Sequence, residues 1–479
     1  MASHSFSHVF YDFAFMLLCY SVLIQSLYVT GDITGSQRNI INISSLLPQT
    51  ECSSPKAING SGARLKLIHQ HGPCSPFNHS NKLTNNQILT HDQSRVNFIN
   101  QHRRRSTITT STPKATTLPS SPIAASKIPA HTGNSFSTGN YIITISFGTP
   151  EQELTVIFDT GSDVTWIQCQ PCSTSCYSQQ EPLFDPSQST TFSSVSCSDP
   201  ACSQLYSPDC SNNTCVYTVK YGDKSHTSGL YSKDTLTLSP SDTLTGFFFG
   251  CGENNSDGFG KVAGLLGLGR GLMSLISQSN TKYNGVFSYC LPSTSSSTGY
   301  LTFGGGGAPA NLKNTKMLTD SSMATFYFLG LQSISVDGTQ LSISPTVFSN
   351  VGTIIDSGTV ISRLPQEAYS SLRDAFRQKM SNYPEAQGDN LLDTCYDLSS
   401  YETVEIPTVS LEFADGLVLD LDASEILFFL NGRSQACLGF AGNEDASDVG
   451  IIGNTQQRKF SVVYDVPNQV IGFGQGGCD

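Results

Sequence analysis

The sequence predicts a mostly β protein built as two related lobes. Three observations carry this expectation. From Asn140 onward short apolar runs alternate with Gly, Asn, Asp and Ser turns, helix signals are few, and one strand-turn unit occurs twice.

The strand-like runs fall at 141–147, 155–158, 216–221, 326–334 and 460–464. The best helix signal is 365–380, where Ala368, Leu372 and Phe376 recur at helical spacing behind a proline suited to a first turn. The repeat is Val156-Ile157-Phe158-Asp159-Thr160-Gly161-Ser162 matched by Thr353-Ile354-Ile355-Asp356-Ser357-Gly358-Thr359. A second matched element follows each, Gly264-Leu265-Leu266-Gly267 and then Gly450-Ile451-Ile452-Gly453.

Charge divides the chain in two. Residues 1–130 carry net +7 and seven of the nine histidines, whereas 131–479 carry net −19. An acidic excess of that size argues against nucleic acid as a partner, because phosphate binding draws on clustered Lys and Arg. The apolar stretch at 13–29 reads as a signal peptide, although its leading end lacks Lys or Arg and a membrane anchor is the competing reading. His102-Arg103-Arg104-Arg105 opens a Ser/Thr/Pro-rich linker that ends near Ala130. The expected division is therefore a signal peptide at 1–29, a propeptide with its linker at 30–130, a first lobe at 138–330 and a second at 331–479.

Fifteen cysteines point to an oxidising compartment. Twelve lie beyond residue 130: Cys169, Cys172, Cys176, Cys197, Cys202, Cys210, Cys215, Cys251, Cys290, Cys395, Cys437 and Cys478. Seven of these crowd 169–215, so if all pair, at least one bridge leaves that cluster. Cys169, Cys172 and Cys176 also have the spacing of a zinc half-site, but an even cysteine set in a secreted chain favours disulfides, and neither a metal nor a cofactor is expected. Asn42, Asn59, Asn78, Asn212 and Asn254 head sequons open to glycosylation.

An Asp placed after an apolar strand and before a glycine turn is fixed by packing yet reachable. Two such carboxylates at close range share a proton, and that pair can activate a water for amide hydrolysis without a metal. Histidine-based nucleophiles have little support, since only His131 and His226 lie beyond the leader. His226 reads as a surface-loop residue.

These residues resemble the pepsin-type aspartic proteases, and more closely their plant nepenthesin-like branch, over roughly 138–479. The resemblance rests on both Asp-[Ser/Thr]-Gly-[Ser/Thr] motifs, Trp166, Tyr221-Gly222, the two glycine-bounded apolar elements, the cysteine-rich insert at 169–215 and His71-Gly72-Pro73-Cys74-Ser75-Pro76 in the leader. It implies a bilobal pepsin-like fold with Asp159 and Asp356 catalytic. Thr160 and Ser357 would tie the two loops together, and Ser162 and Thr359 would bond the outer carboxylate oxygens. Tyr221 would sit on a flap with its hydroxyl near the Trp166 indole, and Gly161, Gly222, Gly358 and Thr359 would line the substrate. A Cys395–Cys437 bridge is implied by analogy.

The resulting expectation is a secreted, monomeric aspartic endopeptidase acting at acidic pH on protein or peptide substrates. It would be made as a zymogen inhibited by its own basic propeptide, and would be free of the membrane once the signal is removed. The apoplast is the expected location, with vacuole or plastid as alternatives. The competing reading is a catalytically silent inhibitor or binding protein of the same fold.

Overall fold

A computed structural model describes residues 39–53, 63–77, 83–110, 141–221, 225–305, 311–476 and 478. The expected signal peptide, Asn59, Asn78, the linker beyond residue 110, His131 and Gly222 lie outside them.

The architecture is the expected two-lobed β arrangement, and its two halves repeat one topology. In the first, Gln152–Asp159 pairs in parallel with Gly264–Gly267, which runs antiparallel to Trp166–Gln168. In the second, Thr353–Ile355 pairs in parallel with Gly450–Ile452, which runs antiparallel to Ser362–Leu364. The strands are continuously apolar because both faces are covered: Val156, Phe158, Leu266, Ile354 and Ile451 are all fully buried. The equivalence reaches single positions. Seven residues beyond its Asp, Trp166 stands opposite Gly250 and Leu265, and Arg363 stands opposite Ala441 and Ile451.

The run at 326–334 divides at Gly330 into Tyr327–Leu329 and Leu331–Val336. The first piece pairs with Thr353–Ile355 and the second with Val409–Phe413, so the chain changes sheets where no side chain obstructs the bend. The expected helix forms at Gln366–Lys379, with Pro365 as its N-cap and Ala368, Leu372 and Phe376 buried.

The leader is built into the fold rather than laid upon it. Its strand Arg64–His69 lies inside the largest sheet, between Thr298–Phe303 and Tyr141–Phe147, with Leu65 and Leu67 turned into the core and Lys66 exposed. Its helix Asn85–Thr110 runs well into the stretch expected to be linker. The helix begins where Thr84 and Gln87 cap each other: the Thr84 amide donates to Gln87 Oε1 at 2.9 Å and the Gln87 amide to Thr84 Oγ1 at 3.3 Å. Ile88 and Leu89 pack among Val360, Ile361, Phe428 and Leu430, whereas Val96 and Ile99 pack among Met323, Phe328, Ile354 and Val449.

Among the described residues seven disulfides hold the loops. Cys52–Cys74 staples the leader, and the others are Cys169–Cys251, Cys172–Cys176, Cys197–Cys210, Cys202–Cys215, Cys290–Cys478 and Cys395–Cys437. Cys169–Cys251 is the bridge that leaves the insert, and the three cysteines with zinc-like spacing are all consumed by bridges. Such bridges form and persist outside the cytosol, and the chain is a secreted, extracellular protein. Among the described residues no helix is long and apolar enough to cross a membrane.

Because Leu67 is fully buried at the centre of the largest sheet, Leu67→Ala should destabilise the full-length chain by about 2–5 kcal/mol. A thermal melt of the secreted protein should show a lowered midpoint. An unchanged midpoint would mean that the leader strand is not part of the cooperative core.

Candidate functional site

Asp159 and Asp356 end equivalent strands, and both are essentially inaccessible, at 1% and 0% exposure. The turns that follow them interlock. The Thr160 amide donates to Ser357 Oγ at 3.0 Å and the Ser357 amide donates to Thr160 Oγ1 at 2.9 Å. Ser162 Oγ donates to Asp159 Oδ2 at 2.7 Å, and Thr359 Oγ1 to Asp356 Oδ2 at 2.6 Å. The Gly161 and Gly358 amides donate to the Oδ1 atoms, each at 3.0 Å. Glycine is required at both positions, because a Cβ on Gly161 would lie 2.6 Å from Asp356 Oδ1 and one on Gly358 would lie 2.5 Å from Asp159 Oδ1. The loops can therefore bring the two carboxylates together.

A hairpin of Thr214–Lys220 and His226–Ser239 rises beside them, closed by the Tyr221 amide donating to the Ser225 carbonyl. The fully buried Trp166 donates its indole N–H to the Tyr221 hydroxyl at 2.7 Å. Burial, against the pull of that indole bond, holds the Tyr221 phenol well above its ordinary range. Phe259, which sequence reasoning did not single out, sets its ring edgewise to both Trp166 and Tyr221, at 4.7 and 5.4 Å between centroids. His226 opens the returning strand of this hairpin opposite Lys220 and is half-buried, so the surface-loop expectation is corrected. Of the sequons described, Asn42 and Asn212 are exposed and Asn254 is half-buried within a strand.

The residue that dominates the site came from the leader and was not anticipated. Arg95 lies between the two carboxylates and reaches all four of their oxygens. Its Nη2 is 2.8 Å from Asp159 Oδ1 and 2.9 Å from Asp356 Oδ1, its Nε is 2.9 Å from Asp356 Oδ2, and its Nη1 is 3.4 Å from Asp159 Oδ2. Burial alone would weaken the guanidinium's hold on its proton, but the Asp159 and Asp356 charges outweigh this and keep it above its ordinary value. Every oxygen of the pair accepts from a donor on its own loop and from Arg95. The sequence suggested two acids facing each other alone, and here the pair meets a cation.

The same helix is fastened on either side. Asp92, fully buried, accepts from the Val360 amide at 2.5 Å, from the Ile361 amide at 3.0 Å and from Arg363 Nη2 at 3.0 Å. Asn100 Oδ1 accepts from the Val449 amide at 3.0 Å, and Arg104 pairs with Asp448 at 2.7 Å. The spacing of Asp92, Arg95, Val96, Ile99 and Asn100 was the available signal. It is helical, but its buried stripe mixes charge with apolar groups.

The family models that match are described as the xylanase inhibitor N-terminal part, over residues 141–305, and the xylanase inhibitor C-terminal part, over residues 326–475. An aspartyl protease family protein of Arabidopsis thaliana is 46% identical over 448 residues, covering 91% of this chain and 92% of that protein. Aspartic proteinase nepenthesin-1 of Nepenthes gracilis is 40% identical over 352 residues, covering 71% and 78%. The chain belongs to the pepsin-like plant family of nepenthesins and xylanase inhibitors.

Solved structures titled edgp and basic 7S globulin from soybean share its fold, with TM-scores of 0.58 and 0.56 at 20% identity each, covering 71% and 70% of this chain and 93% and 92% of theirs. The two matched lobe models correct the functional expectation. Both halves of the chain match models described as inhibitor, and Arg95 fills the space between the carboxylates where a hydrolytic water would have to lie. The endopeptidase reading, and the hydrolase and zymogen terms attached to it, do not stand.

Docking of the helix should depend on pH through His91, which is 1% exposed. Burial, with the nearby His71 charge second, lowers its imidazole from 6.5 to about 4. Undocked, His91 takes up a proton as pH falls through 6.5, whereas docked it takes none until about 4. Docking therefore weakens across that window by about 1.4 kcal/mol per pH unit. Hydrogen exchange of the helix amides, corrected for intrinsic rates, should show protection falling more steeply towards pH 4 in the wild type than in His91→Gln. Equal slopes would refute the assignment.

Proposed function

We propose that this chain is a secreted pepsin-fold binding protein of the inhibitor type. Its cleft holds a helical segment through a basic side chain seated between Asp159 and Asp356, and in the full-length chain its own leader is that segment. The observation that carries this reading is Arg95 reaching all four carboxylate oxygens. The two matched lobe models, described as xylanase inhibitor, support it and make a glycosidase the first class of protein partner to titrate.

In this reading the leader is an internal ligand that competes with any partner for the cleft. The described residues within 138–330 and within 331–479 supply the two walls, and Gly161, Tyr221, Gly358 and Thr359 form its lining. Thr160, Ser162, Trp166 and Ser357 are its supports. They hold two carboxylates rigidly facing one point, which is what selective capture of a guanidinium needs.

The test is an assay of the purified full-length chain on a denatured protein near about pH 4, where a carboxylate pair of this kind would act if it were hydrolytic. The binding reading predicts no hydrolysis that depends on Asp159. Cleavage by the wild type that disappears in Asp159→Ala would overturn it.

A further inference from the structure

The two lobes place Trp166 and Arg363 at equivalent positions, and the use made of each differs. Trp166 serves its own lobe by supporting the flap tyrosine. Arg363 is 1% exposed, and among the described residues its ion pair is with Asp92 of the leader. It also donates to the Ile361 carbonyl at 2.6 Å and to Gln93 Oε1 at 3.2 Å, and its Nε has no hydrogen-bond partner among the described residues. Two consecutive backbone amides, those of Val360 and Ile361, point at the same carboxylate.

We propose that Arg363 and the Val360 and Ile361 amides form a carboxylate-recognition subsite of the cleft, which Asp92 fills in the full-length chain. Its ligand class is an acidic side chain on a helix, one turn before a basic side chain that reaches Asp159 and Asp356. This deepens the binding reading and rests on it: the cleft selects a helix carrying Asp-x-x-Arg, apolar at the positions held here by Ile88, Leu89, Val96 and Ile99.

The energetics fit a recognition site better than a stabilising brace. Burial pushes Asp92 up against the pull of Arg363, and pushes Arg363 down against the pull of Asp92, with Glu444 adding a smaller favourable contribution. Desolvation is the largest influence on each partner, and the pairing opposes it. A pair kept on those terms contributes selectivity for the correct ligand, since a helix lacking the acid would leave Arg363 without its charged partner and two buried amides without an acceptor. The acid and the base also lie three residues apart, so one helix face delivers both.

The experiment is chemical rescue in the full-length chain. Asp92→Ala should lower the thermal midpoint and release the helix amides to faster hydrogen exchange. Sodium formate, which supplies a carboxylate small enough for the vacated volume, should restore both in a saturable way and slow the exchange at least tenfold, whereas sodium chloride at equal ionic strength should not. Asp92→Asn keeps the volume filled and should show no response to formate. Formate acting no better than chloride on Asp92→Ala would overturn the proposal. Should Asp92→Ala not be recovered, Arg363→Met is made in the wild type and in Asp92→Asn: the proposal expects a lowered midpoint in the first and little further loss in the second, and equal losses would contradict it. Hydrolysis of protein is read in a separate assay, so failure of the binding reading leaves the formate result to be judged by itself.

Discussion

One guanidinium between two carboxylates organises this molecule. The loops around Asp159 and Asp356 interlock so that both acids face a single point, and two glycines remove the side chains that would keep them apart. Two buried carboxylates facing one point need a compensating positive charge. Arg95 supplies that charge here. The rest of the leader follows from delivering it: a strand that anchors the leader in the largest sheet, a disulfide that staples the connecting segment, and a helix whose apolar, acidic and amide contacts fix the register of the arginine.

Much of the scaffold was legible in the sequence because the repeat is written in short, specific units. An apolar strand ending in Asp-Thr-Gly-Ser or Asp-Ser-Gly-Thr, followed by a glycine-bounded apolar pair, admits few structures, and the parallel pairing of each Asp strand with its partner element uses those residues. The link between Trp166 and Tyr221 came from resemblance, since nothing in the spacing of the two residues demands it. What stayed hidden was the leader's geometry. The buried face of its helix includes His91, Asp92, Arg95 and Asn100, so hydrophobic periodicity, the usual signal, is weak where the contacts are strongest. The charge split between leader and body was visible, but it suggested a diffuse attraction rather than one side chain placed within 3 Å of two acids.

Arg363 illustrates the same limit from the other lobe. Its equivalence to Trp166 can be counted from the repeat, yet its role depends on a carboxylate far away in sequence. The functional expectation went wrong for a related reason. Motifs describe what a carboxylate pair can do when exposed to water and substrate, whereas function depends on what occupies it. Members of this family carry either protease or inhibitor in their names, and the shared fold does not choose between them. The occupied cleft favours binding.

The central claim is that Arg95 and the two aspartates act as one unit in holding the leader helix. A double-mutant cycle between Arg95→Met and Asp356→Asn in the full-length chain, read by hydrogen exchange of the helix amides, tests it most directly. The account predicts a coupling of at least about 2 kcal/mol, because with Asp356 neutralised Arg95 keeps only Asp159 as a charged partner and has less left to lose. Losses that simply add, within about 0.5 kcal/mol, would contradict it.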